Sequence, residues 1–191
     1  AELIEISGGG EAFSSKYSRE LIKKIAAKNP QAKWHIFTNG LLFNTANIKA
    51  LGIYGRINSV IISFHAMNKD VYDQIMLGSD YDTVLKNIKE ISYEYNYNKT
   101  IKKVSISIVI SSINYKELPN LAEFAAENNF NIIISQFRLF KDAPFGRDYK
   151  SVSVWDKEHP EFEEFKRILK HPALDYDKIK MTPRFKKIRE M

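Results

Sequence analysis

Apolar and polar positions fall into two rhythms along this chain. Five short segments rich in Ile, Val and Phe, each bounded by turn residues, run over 2–7 (ELIEIS), 33–39 (KWHIFTN), 59–65 (SVIISFH), 104–111 (VSISIVIS) and 131–138 (NIIISQFR). Their length and composition predict β-strands. Between them the apolar residues take helical spacing: Leu21, Ile22 and Ile25 before Pro30; Ile48 and Leu51; Val84, Leu85, Ile88 and Ile91; Leu118, Leu121, Phe124 and Ala125. Strand–helix alternation of this kind predicts right-handed βαβ units, with a parallel sheet covered by helices.

The period-two pattern narrows the architecture. In 104–111, Val104, Ile106, Ile108 and Ile110 share one face, while Ser105, Ser107, Val109 and Ser111 share the other. In 60–65, Val60, Ile62 and Phe64 oppose Ile61, Ser63 and His65. A flat sheet covered on both faces is apolar on both, whereas a small, polar face suits a sheet curled around a polar ligand. The expected fold is therefore α/β, a partial (βα) barrel of parallel strands with about five βα units. Binding groups should gather at the strand ends: Gly8 to Glu11, Thr38-Asn39-Gly40, Ser63 with His65, Ser111 with Asn114, and Gln136 with Arg138. Residues 1–140 form the core on this reading. Residues 141–191 read as a loop with Pro144 and Gly146, a charged helix around 160–170 and a basic tail, together a helical extension and not a second domain.

Composition adds exclusions. Apolar residues make up 44% and charged residues 27%, and no stretch approaches the roughly 18 apolar residues of a membrane span, so a soluble, cytoplasmic chain is expected. Cysteine is absent, which removes disulfides, thiol nucleophiles and thiolate metal ligands from the 191 residues. The net charge of +6 comes largely from Lys23, Lys24, Lys28, Lys99, Lys102, Lys103 and the tail from Lys178 to Arg189. These cations read as solvated surface, and no nucleic-acid motif accompanies them. The tyrosines of SYEYNYN, 92–98, read as a helix end covering a core edge.

The chemistry begins at Gly8-Gly9-Gly10-Glu11, on the tip of the first strand. Glycines there let a ligand approach the backbone. A phosphate-binding loop would place Lys and Ser or Thr after the last glycine, and a dinucleotide fingerprint would space its glycines G-x-G-x-x-G. A carboxylate stands there instead. That suits a cationic amine, held by Glu11 and the carbonyls of Gly9 and Gly10.

With the strings ISGGGEAF, IFTNGLLFN, VIISFHAMNKDVYDQIMLGSDYDTVLKNIKEI, VSISIVISSINYKEL and IIISQFRLF in this order over about residues 2–140, the chain resembles the core of radical S-adenosylmethionine (radical SAM) enzymes. The likeness is to the branch of the molybdenum-cofactor cyclase and the sulfatase-maturing and peptide-modifying enzymes. It implies a six-stranded partial barrel that binds S-adenosylmethionine through Glu11, with Gly9 and Gly10 beside it. Ser63 would approach the cofactor, Ser111 and Asn114 would border its ribose, and Gln136 would lie near the adenine. Thr38 is implied on the substrate side, where His65 and Arg138 also fall. The family also implies a 4Fe-4S cluster on C-x-x-x-C-x-x-C, a reductant, and a substrate that is a small molecule or a peptide. This chain departs in two ways: Ala12 follows the glutamate where the family has proline, and the cysteine motif with its preceding strand is missing. The chain opens on Ala1 directly before a strand, so it is expected to be a fragment lacking the first βα unit, with the cluster only in the full-length parent and no activity of its own.

Each residue also has a plainer reading. Thr38-Asn39-Gly40 could be a strand-end turn, Ser63 a packed hydroxyl and His65 a satisfied core histidine. Asn114-Tyr115-Lys116-Glu117 matches a capping box for the following helix, and Arg138 could pair with a surface acid. The rival function is a cluster-free module that holds a nucleoside-like ligand or RNA.

Overall fold

The computed structural model describes residues 3–7, 11–138 and 149–191. Gly8, Gly9, Gly10, Pro144 and Gly146 lie outside the described residues. Six strands, β1 (Leu3–Ile6), β2 (Lys33–Thr38), β3 (Ile57–Ser63), β4 (Val104–Ile110), β5 (Asn131–Gln136) and β6 (Ile179–Met181), make one parallel sheet in the order of the chain. The helices are α1 (Lys16–Lys28), α2 (Thr45–Ala50), α3 (Lys69–Ile75), α4 (Tyr81–Asn96), α5 (Leu118–Glu127), α6 (Tyr149–Val152), α7 (Phe162–Leu169) and α8 (Pro183–Glu190). Neighbouring strands that follow one another in sequence, each joined by a helical crossover, are what the alternation predicts.

By its contacts the chain forms two compact units. The first holds Ala1–Phe64, Gly78–Ile106 and Asn128–Phe130; the second holds His65–Leu77, Ser107–Glu127 and Asn131–Met191.

In the first unit the helix starts follow from short polar caps that satisfy free backbone N–H groups. Ser15 accepts from the Ser18 N–H at 3.4 Å to open α1, Asn44 from the Asn47 N–H at 2.9 Å for α2, and Asp80 from the Thr83 N–H at 2.8 Å for α4. The faces these helices turn inward bury Ile22 and Ala26, Ile48, and Val84, Ile88 and Ile91. Trp34 and Ile36 of β2 and Val60 and Ile62 of β3 are buried, while His35 and Ile61, at alternate positions, are only half-buried. One face of β2 and β3 is thus core and the other is partly open, as the alternation requires. Glu94 of α4 is buried too. Burial pushes its carboxyl pKa up, but hydrogen bonds from Thr100 (2.7 Å) and Tyr54 (3.0 Å), with Asn98 and the Lys49 charge, outweigh burial and hold it below the usual value.

In the second unit, Ile108 and Ile110 of β4 and Ile132 and Ile134 of β5 are buried, with Leu118, Leu121, Ala122 and Ala125 of α5. The segment from 149 onward joins this unit through a chain of rings: Tyr115 meets Phe165 edge-on at 5.9 Å, Phe165 meets Phe185 at 5.2 Å, and Trp155 meets Phe185 at 6.0 Å. The buried Tyr115 hydroxyl donates to Glu164 (2.7 Å) and Glu161 (3.1 Å), both next to Lys116.

The sequence pattern and the structure differ at four places. The fold has six strands, not five, because β6 pairs parallel with β5 (Ile132 opposite Ile179, Ile134 opposite Met181), so the expected helical extension also carries a strand. Ile179-Lys180-Met181 after Lys178 is too short a run for its alternation to be read as a strand, and only the pairing with β5 makes it one. The basic tail holds α8, whose buried Phe185 and Ile188 form a single i, i+3 step, and α3 is a further helix with Tyr72 buried. The strand expected over 59–65 runs over Ile57–Ser63, so His65 lies beyond its end.

Gly40 sits after β2 at φ +83°, where a Cβ would lie 3.1 Å from Ile62 Cγ2 and 3.2 Å from Val84 Cγ1. Both the backbone conformation and the space require glycine. Gly40→Ala is expected to destabilise the chain by about 2 kcal/mol, since alanine meets left-handed strain and crowding together. Denaturant unfolding at equilibrium checks this; an unchanged midpoint contradicts it.

Candidate functional site: the Glu11 carboxylate and the strand ends

In the first unit the carboxylate of Glu11 lies at the C-terminal end of β2. The Thr38 hydroxyl is 3.0 Å from both its oxygens, the Asn39 N–H donates to Oε2 at 2.7 Å, and the Phe13 N–H donates to Oε1 at 3.2 Å. The loop bearing Glu11 is fixed on its other side by Arg19, whose guanidinium donates to the Phe13 carbonyl at 2.7 Å and the Ser14 carbonyl at 2.8 Å. Phe13 is buried against Phe43, ring centroids 5.4 Å apart. A carboxylate offers about four lone-pair positions, and three donors are in place here. One position remains. No cation forms an ion pair with Glu11 among the described residues. A half-buried negative charge held only by neutral donors is suited to an ammonium group.

The end of β2 is itself held in place. Thr38, buried, accepts the Gly40 N–H at 3.1 Å, and Asn39 Oδ1 accepts the Leu41 N–H at 3.0 Å. Buried Asn87 of α4 donates to the Gly40 and Leu41 carbonyls, both at 2.9 Å. Asn87 went unread in the sequence, although an amide beside Val84, Ile88 and Ile91 on a core-facing helix was a signal that it had carbonyls to satisfy. A second cluster also went unread. The register of β2 on β3 shifts between Trp34 and His35, so that Trp34 pairs with Ile57 and His35 with Ser59, leaving Asn58 extra. This bulge puts both polar residues against one imidazole: Ser59 Oγ meets His35 Nδ1, and Asn58 Nδ2 lies 3.1 Å from His35 Nε2. Ser63, the last residue of β3, is half-buried.

In the second unit the structure brings His65, Ser111 and Asn114 together. Asn114, fully buried, accepts the Ser111 N–H on Oδ1 at 2.9 Å and donates through Nδ2 to the His65 and Val109 carbonyls, both at 3.0 Å. This replaces the capping box. Asn114 makes no side-chain cap on the turn that follows, and Glu117 accepts instead from the Met67 N–H (3.0 Å) and the Asn68 N–H (2.9 Å). Glu117 thereby fastens the start of α3. With its amide committed three times, Asn114 shapes the Ser111 turn. Gln136 ends β5 half-buried, and Arg138 is exposed two residues on.

His65 is 8% exposed, and its Nδ1 accepts the Val109 N–H at 3.3 Å. That bond puts the proton of the neutral ring on Nε2. Burial lowers its pKa from 6.5 to about 4.

The sequence pattern of the Radical SAM superfamily matches residues 4–125. The chain belongs to the radical SAM superfamily. Among curated proteins, a probable GTP 3′,8-cyclase of Methanocaldococcus jannaschii is 28% identical over 149 residues, which are 76% of this chain and 46% of that protein. The chain thus spans about half the length of its curated relative. Among solved structures, TYW1 with a lysine-pyruvate adduct bound has the same fold at a TM-score of 0.55 and 19% identity, over 88% of this chain and 50% of that one. The sheet and its crossovers are accordingly the α/β partial barrel of radical SAM proteins, as the sequence pattern led one to expect. Within this radical SAM chain, Glu11 is a half-buried carboxylate at a strand end that neutral donors hold and no cation pairs among the described residues. Among the described residues no helix is long and apolar enough to cross a membrane.

The buried His65 sets a pH dependence. With a folded pKa of about 4 against 6.5 when free, the unfolded chain takes up the proton first as pH falls. The stabilisation is present above pH 6.5 and is lost as pH falls toward 4. Between pH 7 and 4.5 the native chain is expected to lose about 2 kcal/mol more stability than His65→Gln. Urea unfolding across that range is the check; parallel losses contradict it.

Proposed function

We propose that the protein carrying this chain is a radical SAM enzyme that reductively cleaves S-adenosylmethionine at a 4Fe-4S cluster, giving a 5′-deoxyadenosyl radical that takes hydrogen from a small-molecule or peptide substrate. The observation that carries this reading is the Glu11 carboxylate, aimed by Thr38 and Asn39 and lacking a cationic partner among the described residues, within a chain that belongs to the family. In this reading Glu11 takes the methionyl ammonium on its remaining lone pair, and the family resemblance adds Gly9 and Gly10, which lie outside the described residues. The same resemblance assigns Ser63 to the cofactor, Ser111 to its ribose and Gln136 to its adenine, and Asn114 acts by holding the Ser111 turn. Thr38, His65 and Arg138 belong to the substrate side. These residues bind, orient and exclude water; the electron and the radical chemistry come from cluster and cofactor.

No cysteine stands among the 191 residues, so the chain has no thiolate for the cluster, and no step through it is assigned to these residues. Its ligands are proposed to stand in another part of the protein, so that the 191 residues alone would bind without turning over. An open side with exposed apolar residues supports a further unit beside β1. Leu3 is 53% and Leu21 58% exposed, and an open cavity of about 490 Å³ lies between β1 and α1, lined by Ile4, Ile6, Ile22 and Ile25 and also by polar residues that include Glu11 and Ser18. Trp34 is among the residues that line this cavity, and its buried Nε1 has no hydrogen-bond partner among the described residues.

The test uses the longer reading frame, expressed without oxygen. A brown protein with cluster absorbance is expected. Glu11→Gln should keep that absorbance and weaken S-adenosylmethionine binding tenfold or more by calorimetry, the effect of losing one charge-assisted contact. A variant that binds as tightly as the native protein sinks the role of Glu11, and a longer frame without clustered cysteines sinks the enzyme reading.

A further inference from the structure

The tyrosine run of α4 divides in the structure. Tyr95 tilts against Phe130 with centroids 6.0 Å apart, covering a core edge as the sequence suggests, but Tyr93 and Tyr97 point outward, 57% and 74% exposed. Their rings stack on each other, centroids 5.1 Å apart and 28° between planes. Helical steps put Lys86, Lys89, Tyr93 and Tyr97 on one side of α4, within about 80° of arc and about 16 Å of length. Lys86 and Lys89 are exposed, as are Lys99, Lys102 and Lys103 just beyond the helix. None of the five ammonium groups forms an ion pair among the described residues. Of the carboxylates nearest in sequence, Glu90 accepts the Thr45 N–H at 2.8 Å, Glu94 is buried among Tyr54 and Thr100, and exposed Asp82 stands one turn before Lys86. Five lysines against that one exposed acid leave an excess of positive charge beside an aromatic stack open to solvent.

We propose that this face of α4, with the turn that follows it, binds single-stranded nucleic acid, the lysines meeting phosphates and the Tyr93–Tyr97 pair stacking with an unpaired base. Lysines alone would serve any polyanion. The exposed stack is what selects the partner, because every unpaired base presents a planar face and a duplex or an acidic peptide does not. The proposal does not depend on the cluster chemistry; α4 engages this partner whatever the fate of the Glu11 reading.

Fluorescence anisotropy of the whole protein with a labelled RNA strand of about 12 nucleotides tests it. Binding is expected at low salt, with log affinity falling against log salt at a slope of about −3.5 for five lysines. The double variant Tyr93→Leu/Tyr97→Leu, which keeps apolar bulk without planar rings, should lose at least fivefold in affinity for the single strand and less than twofold for a duplex. Lys86→Glu/Lys89→Glu should weaken both, and melting curves check that the variants fold. Three results overturn the proposal: no binding at about 50 mM salt, a leucine variant within twofold of the native protein on single strands, or polyglutamate competing as well as unlabelled RNA.

Discussion

A carboxylate drawn half out of water needs hydrogen-bond donors, and those that Glu11 finds organise this end of the sheet. Its partners are a hydroxyl on β2, an N–H just past it and an N–H of its own loop. All three are neutral. They hold the oxygens in place while the negative charge stays uncompensated. A lysine in their place would have made Glu11 a structural ion pair; with neutral donors the charge is kept for a ligand.

The support behind Glu11 is built from backbone. Gly40 turns the chain where no side chain fits, Thr38 closes that turn, and Asn87 reaches from α4 to bind the two carbonyls the turn leaves bare. Helix and strand end are thereby locked together by contacts that need no ligand. A site fixed in this way loses little entropy when a ligand arrives. The second unit uses the same device: Asn114 bonds two carbonyls and one N–H to shape the turn carrying Ser111.

The polar side chains of the open sheet face are arranged with similar economy. A one-residue bulge sets Asn58 and Ser59 against His35, and in the second unit, past the strand, the buried neutral ring of His65 accepts one backbone N–H. On the outside of α4 the pattern reverses, since Tyr93 and Tyr97 stay in water beside lysines that form no ion pair among the described residues. One helix thus carries a buried amide that braces the strand end and an exposed stripe suited to an external partner.

Alternation of apolar residues was enough to determine five strands, four of the helices between them and the partial barrel, because periodicity is read from neighbours close in sequence, while the candidate acid was legible from the glycine run it ends. Glu11 and Thr38, each at its own strand end, and Ser111 with Asn114 were likewise visible as polar residues, although the contact between Glu11 and Thr38 was not. Tertiary structure alone decided the rest. β6 exists through its pairing with β5; Asn114 binds three groups instead of capping a helix because His65 and Val109 offer carbonyls within reach; and Asn87, His35 and Asn58 acquire their roles from partners on other elements. Periodicity records which face a residue turns toward the core, whereas a hydrogen bond between distant segments depends on positions to within a few tenths of an ångström, which only the packed chain supplies.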